Sequence, residues 1–414
     1  MMRVQLGCRL GLAIVLAGAL LTAATGARAA PVAQGDTALD PGELFARAIA
    51  EADHDDLADA IADLDQAIRL NPDYLEAHVA RGQLRLLNGD AAEAADDFAA
   101  ATRIAPNDPV GYNELGGARL ALGDNAEALE AYDQAVRLAP DNARIYYNRA
   151  RVRTLLGDSQ GALDDYSRAI ELNPGFAAAY LDRGVHRSRL GDLAGAIDDY
   201  SRALDLNPNY ALAYLDRARA RSRLGDLAGA VDDYTQALQS RPTAEAYYER
   251  GLTRARLDDY EGAVVDYTLA LDLDPSASAI YTSRGVARAR LGDDANAIDD
   301  YTQAIRLNPA DPTAYYNRGL AHGRQGDYAA AVADYTRALR RNPDHASATY
   351  SRGRARAHLG DTPAALDDLR RAAALYEQQG DEAGARRAEN AIATLEKGTA
   401  ADAPAALPAA PEDR

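Results

Sequence analysis

The chain has one cysteine, Cys8, and no tryptophan in 414 residues. Nothing after Cys8 carries a thiol, which excludes disulfide staples, thiolate metal sites and cysteine nucleophiles from that part. Cys8 also precedes the first apolar run, so it is not a lipid-modified cysteine placed after such a run. Lysine is nearly missing as well: Lys397 is the sole one, and the rest of the positive charge is arginine, as in GC-rich bacterial genomes. Positive charge is in deficit overall, with a formal net charge of −18. A chain this acidic repels phosphate backbones and anionic head groups, so neither nucleic acid nor a membrane surface is an expected partner. The six histidines show no close spacing for metal, and no nucleophile motif, phosphate-cradling loop or dinucleotide fingerprint occurs. No cofactor, no metal and no enzymatic activity are therefore expected.

The apolar run Leu10 to Ala24 is shorter than the roughly 20 residues of a spanning helix. Arg3 and Arg9 precede it and Ala27-Arg28-Ala29 follows, the layout of a secretory signal peptide cleaved after Ala29. Residues 1–29 are read as that signal, with 30–40 a linker, a periplasmic mature chain, and no membrane insertion once the signal is gone.

What is abundant is repetition. Pro72, Pro106, Pro140, Pro174, Pro208, Pro242, Pro275, Pro309 and Pro343 recur every 34 residues, with one step of 33 after Pro242. A fixed period of this length is that of a helix–turn–helix unit. Setting each proline at position 32 gives ten units, beginning at Pro41, Leu75, Pro109, Ala143, Ala177, Ala211, Ala244, Ser278, Pro312 and Ala346. Positions 20 and 27 are alanine in every unit, position 8 is glycine or alanine, and position 24 is large, mostly tyrosine. Small residues at these places let two helix backbones approach, and the ring fills the space beside them. Glycine at position 15 suits the left-handed stop of a first helix, and the aspartate after it suits the cap of a second. Asn-Pro pairs such as Asn173-Pro174 close the unit.

At these residues the chain resembles the tetratricopeptide repeat family, over residues 41–379. The resemblance implies an all-α fold, a right-handed superhelical α-solenoid of about ten helix pairs. Residues 380–397 then read as a capping helix, and the Ala/Pro-rich tail 398–414 as disordered. It also implies a concave surface lined by positions 2, 5, 9, 12 and 13 of the first helices.

Two departures from the family pattern are informative. Position 7 is arginine in nine units and Leu115 in the third; position 23 is aspartate in nine units and Ala131 in the same third unit. Residues that vanish together imply contact. Ion pairs are expected between helices of one unit, among them Arg183 with Asp199, Arg217 with Asp233 and Arg284 with Asp300. Position 11 is also mostly arginine, for which the acids at positions 22 or 23 of a neighbouring unit are the expected partners. Adjacent acids such as Asp232-Asp233 face different ways on a helix and recur in most units, which marks them as structural.

Position 13 is Arg189, Arg223, Arg256, Arg290 and Arg324 in five successive units. Two readings stand. Arginine near a first helix's C-terminus is favoured by the helix dipole and by the aspartate that follows. Alternatively the five form a basic ladder in the groove for an acidic peptide or a carboxylate, which arginine holds with two parallel hydrogen bonds. Tyr147, Tyr248 and Tyr316 at position 5 would then add stacking and hydroxyl contacts. The function expected is a non-enzymatic protein-interaction scaffold of the cell envelope, binding a protein or peptide in that groove. The alternative is a structural subunit of an envelope complex that makes contact through its edges or convex face.

Overall fold

The computed structural model describes residues 39–53 and 56–397. The signal segment, most of the linker and the tail lie outside the described residues. All regular structure within them is α-helical: 21 helices, from Pro41–Asp53 to Glu382–Glu396. The chain divides into two compact units between Asn207 and Pro208. The first holds five consecutive helix pairs, ending with Ala177–Arg189 and Leu193–Leu206. The second holds five more, beginning with Ala211–Leu224 and Leu227–Ser240, and then the single helix Glu382–Glu396.

One pair explains the rest. Ala244–Arg256 is started by Thr243, whose hydroxyl accepts from the Ala246 amide at 3.2 Å. It stops at Asp258, which adopts φ 59° where most other units place glycine. Aspartate tolerates that left-handed conformation better than most side chains, because its short carboxylate finds local partners; here it accepts from the Tyr260 hydroxyl at 2.7 Å. The Asp259 carboxylate then accepts from the Gly262 amide at 2.9 Å and opens Tyr260–Leu273. Asp274 ends that helix at φ −136°, the extended backbone that Pro275 imposes on the residue before it.

The interior of most pairs is an aromatic ring, in six of them set on the bare backbone of a glycine. A Cβ at Gly251 would lie 2.6 Å from Cε1 of Tyr267, so only glycine lets this ring come so close without a shift. Ala263 and Ala270 are fully buried on either side. The same ring-on-glycine contact recurs at Gly184 with Tyr200, Gly285 with Tyr301 and Gly319 with Tyr335. The last helix buries Ala385 and Ala388 against Tyr350, Leu375 and Tyr376, covering the apolar face of the tenth pair.

One local expectation needs correction. The aspartate at position 16 caps the second helix from Asp158 onward, but Asp56, Asp90 and Asp124 make no side-chain cap. Asp90 accepts instead from Asn88 at 2.7 Å, and Asp124 from Arg119 at 3.2 Å. At the short step of the proline ruler, Arg241, Pro242 and Thr243 alone join the two helices, without the turn found at the other joints. Thr243 with its extended φ of −139° replaces that turn as the cap.

Candidate binding surface

The arginines at position 7 settle first. Arg183 donates from Nε and Nη2 to the two oxygens of Asp199 at 2.9 and 2.6 Å. Arg217 meets Asp233 at 2.8 and 2.7 Å, and Arg284 reaches Asp300 at 2.7 Å through Nη2. The same fork joins Arg47 to Asp63, Arg81 to Asp97, Arg149 to Asp165, Arg250 to Asp266, Arg318 to Asp334 and Arg352 to Asp368. Two parallel charge-assisted bonds fix both side chains, and the aspartates are buried.

Where a unit keeps both residues, its position-11 arginine goes to its own position-23 aspartate; Arg85 also lies 3.7 Å from Asp65 of the preceding unit, and Arg119, whose unit has Ala131, donates to Asp124 instead. Arg187 Nη1 donates to Asp199 at 2.9 Å, Arg288 to Asp300 at 2.8 Å and Arg356 to Asp368 at 2.9 Å. Position 11 lies one helical turn beyond position 7 on the same face, so its guanidinium lands on the free side of the carboxylate. Where both arginines are present, one aspartate is thus shared between two cations. At Asp97 burial pulls the carboxyl upward, but hydrogen bonds from His78 and Arg81 overcome it and hold the pKa below the usual range.

Sequence reasoning missed what the third nitrogen does. Nη1 of the position-7 arginine reaches back to position 25 of the preceding unit: Arg149 to Asp133 at 2.8 Å, Arg284 to Thr268 at 3.1 Å, Arg318 to Thr302 at 2.9 Å. The signal was present. Leu115 lacks the arginine, and the unit before it has Ala99 at position 25, where the others mostly carry Asp, Ser or Thr. The guanidinium also lies over the ring at position 4, as with Arg250 and Tyr247 at 5.6 Å.

The position-13 ladder is not uniform. Arg324 forks onto Asp294 at 2.9 and 2.5 Å, and Arg256 donates to the Ser222 hydroxyl and carbonyl at 2.8 and 3.2 Å. Arg290 is exposed but has a partner. Arg189 and Arg223 are exposed and make no hydrogen bond or ion pair with any described residue. The tyrosines also differ from expectation. Tyr316 is only 1% exposed, held against Tyr335 and His345, so it offers no ring to a ligand. Tyr147 donates to Asp182 at 2.7 Å and packs on Phe176, while Tyr248 lies 3.4 Å from Ser283. These hydroxyls join one first helix to the next.

Glu114, on the first helix of the third unit, is an acid at odds with its surroundings. Burial raises its pKa, against a hydrogen bond from Asn113 at 3.1 Å and the charge of Arg144. A carboxyl with a raised folded pKa binds its proton more tightly in the folded state than in the unfolded chain. Its ionisation therefore penalises the fold increasingly as pH rises from the unfolded value, about 4.3, through the folded one. Glu114→Gln is expected to raise the thermal midpoint at pH 7.5 and leave it unchanged at pH 3.5. An equal shift at both values would contradict this.

Among the described residues no group of three potential ligands is placed to hold a metal ion. No described helix is long and apolar enough to cross a membrane.

Packed helix hairpins carrying a recurrent polar clamp define an α-solenoid of tandem repeats. The model described as tetratricopeptide repeat matches residues 45–109, 113–175, 156–211, 215–278 and 316–380, and a further TPR model matches 289–326. The chain belongs to the tetratricopeptide repeat family. Among solved structures it is similar to YrrB, described as a TPR protein with an unusual peptide-binding site. The two are 22% identical over 44% of this chain and 93% of that one, with a TM-score of 0.41. A tetratricopeptide repeat protein from Parabacteroides merdae is 21% identical over 60% and 98%, with a TM-score of 0.46. Yeast Tom70 is 16% identical over 89% and 91%, with a TM-score of 0.39. No curated protein matches the chain.

Proposed function

We propose that the chain is a protein-interaction scaffold whose first helices present binding side chains to a protein or peptide, without catalysis. One observation carries the reading. The arginines at positions 7 and 11 are consumed by the buried aspartates, whereas Arg151, Arg189 and Arg223 on the first helices are exposed with no ion-pair partner among the described residues. Side chains that lock the fold recur from unit to unit, while on this face positions 2, 5 and 9 change beside the arginine of position 13, and changing residues on a fixed frame are what selects a partner. An acidic peptide suits the unpaired guanidiniums. We also propose that residues 1–29 export the chain to the periplasm, on the strength of the basic, apolar and small-residue order described above.

One observation favours the edge reading instead. Leu224, Leu257 and Leu291, at the ends of first helices, are 54%, 45% and 41% exposed. The two readings part under substitution. Bait protein carrying Arg223→Glu and Arg256→Glu is expected to lose partners captured from envelope extract, and bait carrying Leu224→Gln and Leu257→Gln to keep them. The reverse pattern, read by mass spectrometry, would reject the groove in favour of the edge.

A further inference from the structure

Position 4 is tyrosine in the third to ninth units, and from the fourth onward the position-7 guanidinium lies over its ring, at 5.4 Å for Tyr146 and 5.9 Å for Tyr315. The ring also packs on the preceding hairpin. Tyr180 shares an apolar cluster with Ile170, Tyr281 with Leu271 and Tyr315 with Ile305, each of these partners standing at position 28. The tenth unit has Thr349 at position 4, a smaller residue than any other unit places there.

The space left over is a cavity of about 170 Å³. Thr349, itself 0% exposed, and Arg352 lie on its inner side; Thr336, Leu339 and Pro343 of the preceding unit form the facing wall. Leu339 is again the position-28 residue, so the cavity is the seat of the absent ring. A void of about 150 Å³ is enough for benzene. Arg352 forks onto Asp368 at 2.9 and 2.7 Å, as the position-7 arginines of the ring-bearing units fork onto theirs, but has no ring beneath it. The two hydroxyls donate to helix carbonyls, Thr349 to His345 at 3.1 Å and Thr336 to Val332 at 2.7 Å, so neither is left to donate to a ligand.

The mouth is cationic. Arg340 is exposed and forms no hydrogen bond or ion pair with a described residue. Arg371, also exposed, donates from Nη2 to the Pro343 carbonyl at 3.0 Å, which occupies one of its five N–H groups. No acid is among the described residues that line the cavity. Arg371 stands at position 26. In the fourth unit that position is Arg168, whose pKa is raised by a hydrogen bond to Glu171 and, against the opposing effect of burial, by one to the Tyr146 hydroxyl. Position 26 therefore marks the end of the seat where the phenol oxygen lies.

We propose that this cavity binds a small monocyclic aromatic carboxylate, of the benzoate class, whose ring takes the absent tyrosine's place under Arg352 and whose carboxylate takes the phenol oxygen's place beside Arg340 and Arg371. An aliphatic acid lacks the ring face that a guanidinium attracts. A neutral arene leaves both cations at the mouth without a counter-charge. The site is independent of the scaffold reading, since none of its residues stands at positions 2, 5, 9, 12 or 13.

The test titrates the full chain into para-fluorobenzoate and follows the fluorine NMR line. Saturable broadening is expected, and para-fluorobenzamide should bind at least about tenfold more weakly, the worth of a charge-assisted hydrogen bond. Thr349→Tyr restores the residue of seven other units; it should abolish binding of the acid and raise the unfolding midpoint. Arg340→Gln removes an exposed side chain with no described partner, so it should weaken the acid about tenfold at an unchanged midpoint. Arg306→Gln alters the same position beside the seat that Tyr315 fills, and should change nothing. No saturable binding of the acid, equal binding of acid and amide, or undiminished binding by folded Thr349→Tyr would overturn the proposal. The first-helix face is tested separately, by partner capture with Arg223→Glu.

Discussion

Asp266→Ala is expected to destabilise the second unit by about 3–5 kcal/mol, the cost of breaking a buried pair and stranding its cations. Asp266 is 0% exposed and accepts Arg250 at 2.9 and 2.6 Å and Arg254 at 3.0 Å. Without it two guanidiniums face each other across a closed space with nothing between them. The loss is asymmetric. Arg254→Ala removes the more exposed cation and leaves the Arg250 fork intact, so it should cost clearly less. Asp266→Asn should fall between, keeping one acceptor and losing the charge. The chain has no tryptophan, so urea unfolding would be followed by circular dichroism. The decisive comparison is the double-mutant cycle of Arg250→Ala with Asp266→Ala. Single effects that add within about 0.5 kcal/mol would mean that the fork carries no coupling energy.

The shared absence of Arg and Asp in the third unit made the fork legible in the sequence, because pairwise contact leaves a pairwise trace. The second arginine on the same aspartate was not legible. Position 11 varies independently, being Glu51 in the first unit and His322 in the ninth, where the aspartate is kept. A residue that shares an acceptor with a stronger partner is not obliged to change with it. The link to position 25 was hidden for another reason. Asp, Ser and Thr all serve there as acceptors, so the position looks variable by identity and constant only by chemistry.

The candidate face was the least readable. Spacing places Arg189, Arg223, Arg256, Arg290 and Arg324 on one helix face, but whether each is free depends on its neighbours. Asp294 captures Arg324, and Ser222 captures Arg256. Tyr316 shares position 5 with Tyr147 and Tyr248, yet His345 and Tyr335 enclose it. Periodicity reports which way a side chain leaves the helix, not what comes to meet it.

Tyr267→Ala is expected to cost about 3–5 kcal/mol, the range for emptying the space of a buried aromatic side chain. The ring is 1% exposed and lies directly against Gly251, so no side chain on the facing helix reaches across to refill the void. Backbone collapse is limited by Ala263 and Ala270, already fully buried at the helix contact. The first repeat shows one way a smaller residue is accommodated. In the first unit Leu64 stands where Tyr267 does, and Ala48 faces it in place of glycine; both are 0% exposed. Tyr267→Leu alone should therefore cost distinctly less than alanine, and Tyr267→Leu with Gly251→Ala should recover part of that loss. Gly251→Ala by itself forces the ring to shift, because the added Cβ would lie 2.6 Å from it. The units with Ala150 over Tyr166 and Ala218 over Tyr234 keep their rings buried, so this cost should be near the low end of about 1–3 kcal/mol for overpacking. If the double variant proves no more stable than Tyr267→Leu, ring and glycine are not a matched pair. The close contact would then reflect helix spacing set elsewhere, by the arginine–aspartate forks.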